Sequence, residues 1–389
     1  MLTVLLIGLS AEAQNFTDEV IDPLTTADRL QYEQQIKEWI RNNPQPASER
    51  STIYIPTVVH VLWHDSAALM QPTDIVSVIA ETNLDLQKQN TDFLEVPSAF
   101  SGIASATNFQ LCLAEYDEDG NATTGIIQKY TPVTAWYYHF WGQDSLKYDS
   151  LGGSSAWNTA KYLNIWVAKV YSSNGGYAYF PGPNMGTKDG IVIVSKSNFI
   201  RRIVTHEFGH YMNLYHVWGL AAGNTCENAD SGDYVFDTPS QGDAIYNCPT
   251  FPALDTCSPV TPGVNVHNFM NYTNCVRMFT NGQVARMNAA FQLFRSSLLN
   301  SNGCNATTAI SDPSNPSSNL KVTGYQTSVQ IRGANSTVTL GVYDLTGRML
   351  LSNDYTNGIY KLDLPQGLYL YKAVESATHV TTSGKFVVN

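Results

Sequence analysis

The hydrophobic positions in the first three quarters of the chain follow two different periods. Short apolar runs rich in β-branched and aromatic residues predict strands at 53–61, 109–116, 163–170 and 190–195. Apolar residues spaced three and four apart predict helices at 72–92, 199–215 and 281–299. Ser197 or Asn198 is the expected N-cap of the helix at 199–215. Strands and helices therefore alternate, and a long stretch at 218–280 follows neither pattern.

The N-terminal part has a pattern of its own. The apolar run at 2–9 precedes Ala11-Glu12-Ala13, which is typical of a cleavage site. We therefore interpret 1–13 as a signal peptide, with a frayed apolar terminus as the alternative. Residues 14–50 contain one amphipathic helix that Pro44 and Pro46 end. Because one helix cannot form a core, we expect 14–50 to be a propeptide that docks on the rest of the chain.

The C-terminal part changes pattern again. Residues 306–319 are rich in Ser, Asn and Pro, which predicts a linker. Beyond it, turn residues separate short predicted strands at 337–343, 359–364, 368–374 and 385–388. This spacing predicts a small all-β sandwich over 320–389.

Composition narrows the class of protein. Only 14% of the 389 residues are charged and the net charge is −11, which argues against nucleic acid or an anionic membrane as a partner. The apolar run at 2–9 is too short to span a bilayer, and no other stretch reaches the ~18 apolar residues required, so we expect no integral membrane segment. The six cysteines are compatible with three disulfides, and the low charge favours an exported protein.

The strongest chemical signal is His206-Glu207-Phe208-Gly209-His210. On a helix, residues four apart share one face, so both imidazoles can bind one metal ion, and neutral His nitrogens suit zinc. His216 becomes a third ligand if the chain turns near Asn213, since Asn tolerates a left-handed conformation. Three protein ligands and an open position are typical of catalytic zinc, and Glu207 can take a proton from water. The alternative is a pair of ordinary helix histidines.

The spacing from His206 to His216 resembles the extended zinc motif of the metzincin metalloproteases, which usually have Gly at the position of Asn213. Asn268-Phe269-Met270-Asn271-Tyr272 resembles their Met-containing turn. The resemblance implies that Met270 lies beneath the metal and that Tyr272 lies beside it and stabilises the oxyanion. Ordinary core packing is the alternative for Met270.

Several stretches narrow the resemblance to the pappalysin-like, or cytophagalysin-type, metalloproteases: 55–61, 109–114, 162–167, 176–182 and 279–287. The resemblance covers about 53–300 and implies an α+β fold. Its expected parts are a metzincin-like catalytic domain at 51–305, with a twisted mixed sheet, an active-site helix and a loop-rich lower half, followed by the β-sandwich. It also implies a zinc-dependent endopeptidase that acts on proteins or peptides. Two alternatives are a zinc hydrolase of a non-peptide bond and a surface adhesin on a vestigial metzincin fold.

Further residues follow from the same resemblance. It implies the disulfides Cys226–Cys257 and Cys248–Cys275, and it leaves Cys112 and Cys304 either paired or as buried thiols. The segment 232–239 resembles a structural calcium site, in which Asp233, Asp237 and Thr238 would supply the oxygen ligands that calcium prefers. A turn held by side-chain hydrogen bonds is the alternative.

Two expectations concern the substrate and latency. A substrate strand is expected to pair with a sheet edge formed by Gly176, Tyr177, Ala178 and Tyr179. Because 14–50 contains no cysteine, an aspartate, Asp18, Asp22 or Asp28, is our hypothesis for an oxygen ligand that blocks the metal.

The end of the chain carries a second resemblance. The segments 342–348, 367–371 and 384–389 resemble the C-terminal sorting domain of the type IX secretion system. This implies the type IX machinery as a partner and a secreted or cell-surface location. A small adhesive β-sandwich is the alternative.

Overall fold

The computed structural model describes residues 19–21, 26–44, 51–137, 144–171, 175–182, 185–219, 226, 232–304, 320–325, 328–344, 348–377 and 381–388. They form two compact units that divide between Ala306 and Thr307. The predicted signal peptide at 1–13 and the predicted linker lie outside the described residues. None of the helices described is both long and apolar enough to cross a membrane.

The first unit is built on a mixed seven-stranded sheet. Strand β2 lies near its middle, and nine of its eleven residues are buried, so both faces of the strand are covered. The sheet order is β1-β9-β10-β7-β2-β4, with β5 also pairing with the second half of β2. The strands of this unit are β1 (Glu19–Ile21), β2 (Ile53–Trp63), β3 (Ala104–Ser105), β4 (Phe109–Leu113), β5 (Ile126–Tyr130), β6 (Trp136–Tyr137), β7 (Leu163–Val167), β8 (Val170–Tyr171), β9 (Gly176–Tyr179), β10 (Ile191–Ile193), β11 (Tyr246–Asn247), β12 (Tyr272–Thr273) and β13 (Phe279–Thr280).

The helices of this unit are α1 (Thr26–Asn42), α2 (Pro72–Leu86), α3 (Ser98–Ser101), α4 (Arg201–Tyr211) and α5 (Asn281–Ala290). Helices α2 and α4 share one core with the sheet, to which β7 contributes Ile165 and Val167. Trp166, between them, belongs to a second cluster, because successive strand residues point to opposite faces. The predicted helix of the zinc motif therefore packs on one face of the sheet.

Some predicted boundaries were wrong. The helix expected at 72–92 ends at Leu86, since Lys88 has a φ of 53°. Helix α4 starts at Arg201, not 199, and ends at Tyr211. Its N-cap is Ile200, which makes no side-chain capping bond, so neither Ser197 nor Asn198 caps it. Its first turns are instead tied to α2 by hydrogen bonds from Arg202 and Thr205 to Asp85.

The last predicted helix of this unit is also shorter than expected. Helix α5 begins at a capping box formed by Thr280 and Gln283 and ends at Ala290, after which the coil widens to a π-turn and then tightens. The strands expected at 109–116 and 163–170 end at Leu113 and Val167. Propensity located these elements but did not fix their ends.

The N-terminal segment contacts this unit in two places. Strand β1 runs parallel beside β9, pairing Glu19 with Tyr177 and Ile21 with Tyr179. Helix α1 packs on α5, and its Ile36 is buried. Strand β1 therefore occupies the sheet edge at Gly176–Tyr179 in this chain, and pairing of a substrate with that edge stays a prediction.

The second unit contains two antiparallel sheets, β14-β15-β18 and β17-β16-β19-β20. Val329 and Ile331 from the first sheet share one apolar core with Val338, Leu340 and Val342 from the second. The sequence predicted four of the seven strands described, because the other three carry many polar residues. The strands are β14 (Lys321–Tyr325), β15 (Ser328–Arg332), β16 (Val338–Tyr343), β17 (Met349–Tyr355), β18 (Gly358–Lys361), β19 (Gly367–Glu375) and β20 (Thr381–Val388).

Candidate metal centre

Three histidines converge in the first unit. His206 and His210 lie one turn apart on α4, with their Nε2 atoms 3.1 Å apart. The Nε2 atom of His216 lies 3.2 Å from that of His210. In the part of the chain that the structure describes, these three form the one cluster of His, Cys, Asp or Glu groups close enough to hold a metal ion.

Two of these rings are held in the tautomer that a metal requires. The Nδ1 of His206 lies 2.5 Å from the carbonyl oxygen of Phe269, and the Nδ1 of His210 lies 2.6 Å from that of Leu214. A carbonyl oxygen can only accept, so each Nδ1 carries the proton and each Nε2 keeps its lone pair. Nitrogens at about 2.0–2.1 Å from one tetrahedral zinc ion lie about 3.3 Å apart, which fits the observed spacings. The residues therefore fit zinc.

The chain returns His216 to the cluster through a turn at Asn213, whose φ is 70°. The Asn213 N–H donates to the carbonyl of His210, and the Leu214 N–H donates to that of Gly209. Arg286 on α5 holds the turn from behind, donating through Nε to the Asn213 carbonyl at 2.8 Å and through Nη2 to Oδ1 at 2.5 Å. These charge-assisted bonds stabilise the left-handed residue that directs His216 to the metal site.

Met270 lies fully buried against the helix between the two helical ligands. A Cβ atom added at Gly209 would lie 2.4 Å from the Met270 Sδ, so only glycine allows this approach. The next turn residue, Tyr272, is also buried, and its ring centroid lies 4.9 Å from that of His216 and 5.9 Å from that of His206. The structure thus brings both predicted turn residues to the histidine cluster.

Glu207 is buried and lines a cavity of about 240 Å³ together with His206 and Tyr272. Its carboxylate lies against the backbone of β9. A Cβ atom added at Gly176 would lie only 2.7 Å from Glu207 Oε1, so a glycine leaves the room for this approach. Glu207, the predicted proton acceptor, therefore lies beside both the histidine cluster and the strand that is expected to bind substrate.

Comparisons with known proteins agree with this geometry. Residues 148–292 match the model of peptidase family M43, described as pregnancy-associated plasma protein-A. The mature mirolysin of Tannerella forsythia, solved with a cleaved peptide, is 37% identical with a TM-score of 0.59, over 64% of this chain and 96% of that one. The chain belongs to this metalloprotease family.

Other members of the family extend the comparison. A Glu-to-Ala mutant of Tannerella forsythia promirolysin is 35% identical with a TM-score of 0.60, over 70% of this chain and 92% of that one. Extracellular metalloproteases of Arthroderma gypseum and Neurospora crassa are 37% and 36% identical over 161 and 154 residues, or 37% and 35% of this chain. The chain spans about half the length of these fungal relatives, 53% and 50%.

All six cysteines are paired. The structure joins Cys226 to Cys257 and Cys248 to Cys275, the pairing that the resemblance implied. It also joins Cys112 to Cys304, the pair that the sequence left open. The first two bonds crosslink the loop-rich stretch between the zinc motif and α5.

The carboxylates of the expected calcium site are engaged in hydrogen bonds within the protein. Asp233 accepts from the Val235 N–H and the Thr238 hydroxyl, and Asp237 accepts from the Thr280 hydroxyl and the Gly282 N–H. Burial raises the pKa of Asp233 to about 7. Calcium binding at Asp233, Asp237 and Thr238 stays a prediction.

The structure describes one of the three aspartates proposed for latency. Asp18 and Asp22 lie outside the described residues, and Asp28 is not a member of the histidine cluster.

Sequence reasoning missed the pair that supports the turn, Glu33 and Arg286. Arg286 donates to both carboxylate oxygens of Glu33 at 2.6 Å, and both side chains are buried. The two residues lie 253 positions apart, so no local pattern could have paired them. An arginine on the apolar side of a predicted helix was the one available signal.

Proposed function

We propose that this chain is the precursor of a secreted zinc-dependent endopeptidase. The observation that carries the proposal is the convergence of three histidine nitrogens beside Glu207 and a β-strand. Membership of the metalloprotease family supports it, and so do the fungal relatives named as extracellular metalloproteases.

His206, His210 and His216 would hold the zinc ion. Zinc supplies a Lewis acid that polarises a carbonyl and acidifies water. Glu207 accepts a proton from the attacking water and returns it to the leaving amine, which its burial beside His206 allows. Tyr272 donates from its hydroxyl to the developing oxyanion. Strand β9 orients the substrate through backbone hydrogen bonds once β1 has left.

The test is Glu207→Gln in the full-length chain, assayed after release of the N-terminal segment on casein, gelatin and fibrinogen. We expect stoichiometric zinc and at least a 100-fold loss of turnover, as for removal of a general base. Glu81→Gln, the same change at an exposed position of α2, is the matched control and keeps full activity. Unchanged cleavage by Glu207→Gln would remove the general-base role. Bound zinc without cleavage of any protein would favour the non-peptide hydrolase or the adhesin.

We also propose that 14–50 is a propeptide. Strand β1 covers β9, the strand beside Glu207, and Glu33 anchors α1 through Arg286. The promirolysin structure covers more of this chain than mature mirolysin does, 70% against 64%. Asp18, Asp22 or Asp28 would add an oxygen ligand to the metal. Replacing all three by Ala and measuring activity before processing tests that ligand, since unchanged latency would exclude it.

For the second unit we propose a small β-sandwich that acts as a type IX sorting domain, as its sequence resemblance implies. Removal of 312–389 should leave cleavage of casein intact and prevent delivery to the cell surface or medium. Normal export of the shortened chain would contradict this, and loss of activity would assign the unit to the peptidase instead.

A further inference from the structure

The cavity beside Glu207 has walls that are mainly apolar. Ile200, Ile203 and Val276 supply aliphatic side chains, and Gly175 and Gly176 present only backbone. Its volume of about 240 Å³ suits one medium-sized side chain. Burial of an aliphatic side chain there is favourable because it removes apolar surface from water.

Two polar residues of the cavity wall use their hydrogen-bonding groups in contacts with other parts of the protein. Asn271 donates from Nδ2 to Gln241 Oε1 at 2.9 Å, and its Oδ1 accepts the N–H of Tyr272 at 2.9 Å. The Thr273 hydroxyl donates to the carbonyl of Val266. Neither residue is therefore placed to bind a polar substrate side chain.

The wall offers little to a charged substrate residue. Arg202 lines the cavity, and among the described lining residues Glu207 is the one carboxylate. A lysine or arginine entering there would lose its hydration with Glu207 as the one carboxylate to compensate for it. An acidic side chain gains little, since the Arg202 guanidinium already donates to Asp85 at 2.9 Å and to Asp92.

The position of the cavity selects one side of the scissile bond. Antiparallel pairing is the more stable arrangement for a substrate beside β9. Such a strand has its carboxyl-terminal half next to Gly176, which lines the cavity. The cavity therefore receives the residue that follows the scissile bond.

We propose that this chain cleaves peptide bonds before medium-sized aliphatic residues, such as Leu, Ile and Met, and discriminates against Lys and Arg there. The proposal rests on the proposed endopeptidase function and names its substrate class.

The test is digestion of a mixed peptide library by the full-length chain after release of its N-terminal segment, with cleavage sites read by mass spectrometry. We expect Leu, Ile and Met after the scissile bond to be cleaved at least tenfold more often than Lys and Arg, within the range that apolar pockets achieve. A preference for Lys or Arg, or no preference, would overturn the proposal while leaving the endopeptidase in place. Absence of cleavage would overturn both.

Two variants test whether this cavity sets the preference. Asn274→Asp adds a nearly isosteric carboxylate at an exposed lining position, and we expect cleavage before Lys and Arg to rise about tenfold. Asn353→Asp, the same change on the exposed face of the second unit, leaves the profile unchanged. Val276→Ala enlarges the cavity and should shift the preference toward Phe. An unchanged profile in both cavity variants would assign the selectivity to another part of the chain.

Discussion

The buried pair Glu33–Arg286 gives the sharpest prediction, because it alone among the described ion pairs joins the N-terminal segment to α5. The two side chains are 5% and 1% exposed, and both carboxylate oxygens accept at 2.6 Å. In the Glu33→Ala variant the Arg286 guanidinium stays buried under α1 and loses its two bonds to Glu33. When α1 detaches, the same guanidinium can be hydrated instead, so the substitution favours the detached state. Breaking a buried pair in this way costs about 3–5 kcal/mol.

The substitution should therefore lower the free energy of detaching α1 from the rest of the first unit by this amount. Since each 1.4 kcal/mol is a factor of ten, the backbone amides of α1 should exchange with solvent about 140- to 4,000-fold faster. Hydrogen exchange followed by mass spectrometry on the full-length chain measures this directly. Limited proteolysis within 45–50 gives a second readout. After cleavage, the N-terminal fragment dissociates from the rest of the chain only once α1 has detached, so the rate of its dissociation should also rise.

The matched control is Glu38→Ala on the same helix. Glu38 is exposed and lies 4.0 Å from Arg41, so its ion pair contributes at most a few tenths of a kcal/mol. We expect its exchange to stay within about threefold of the unmodified chain. If Glu33→Ala behaves like Glu38→Ala, the buried pair does not anchor the segment and the reasoning fails.

Three further predictions follow from other contacts. Gly209→Ala places a Cβ against Met270 and should lower stability by about 1–3 kcal/mol and weaken zinc retention during dialysis, whereas Gly102→Ala, with open space around it, should do neither. Burial lowers the pKa of His60 to about 4 from 6.5, so the unfolded chain takes up a proton that the folded one cannot. Stability should therefore fall by about 3 kcal/mol as pH drops from 6.5 to 4, and urea unfolding of His60→Gln should show a shallower slope; an equal slope would exclude His60 as the cause. The double variant Cys112→Ser with Cys304→Ser opens a loop of sequence separation 192 and should lose about 4–5 kcal/mol in urea unfolding; a loss below 1 kcal/mol would show that the denatured chain is not restricted by this bond.

Local patterns were sufficient to bring the predicted metal ligands together. Residues four apart on a helix must share a face, so sequence spacing alone assigns His206 and His210 to one metal ion. The turn that returns His216 was also predictable, since Asn213 is one of the few residue types that adopts φ near 70° readily. The closeness of Gly209 to Met270 was not, because it depends on how the turn packs under α4.

Long-range contacts explain the failures. Helix α4 begins at Arg201 because Asp85 on α2 holds Arg202 and Thr205, more than 100 residues away. The sequence offered Ser197 and Asn198 as caps and could not show that a tertiary contact would replace them. The pairing of β1 with β9 also could not be predicted from the sequence. Three residues at 19–21 are too few to show a strand pattern, and their partner lies far away in the chain.

Arg286 connects the metal site to the N-terminal segment, but its two roles are separable. Its bonds to the carbonyl and Oδ1 of Asn213 do not involve Glu33. Glycine has no Oδ1, so the second bond exists because Asn stands at this position, and it offsets the roughly 1–2 kcal/mol cost of a left-handed residue. Loss of α1 would therefore remove the bonds from Arg286 to Glu33 and keep those from Arg286 to Asn213, which hold the turn before His216. If the segment is released as proposed, the three-histidine arrangement can persist, and coverage of β9, rather than a distorted metal site, is the contact that its removal would relieve.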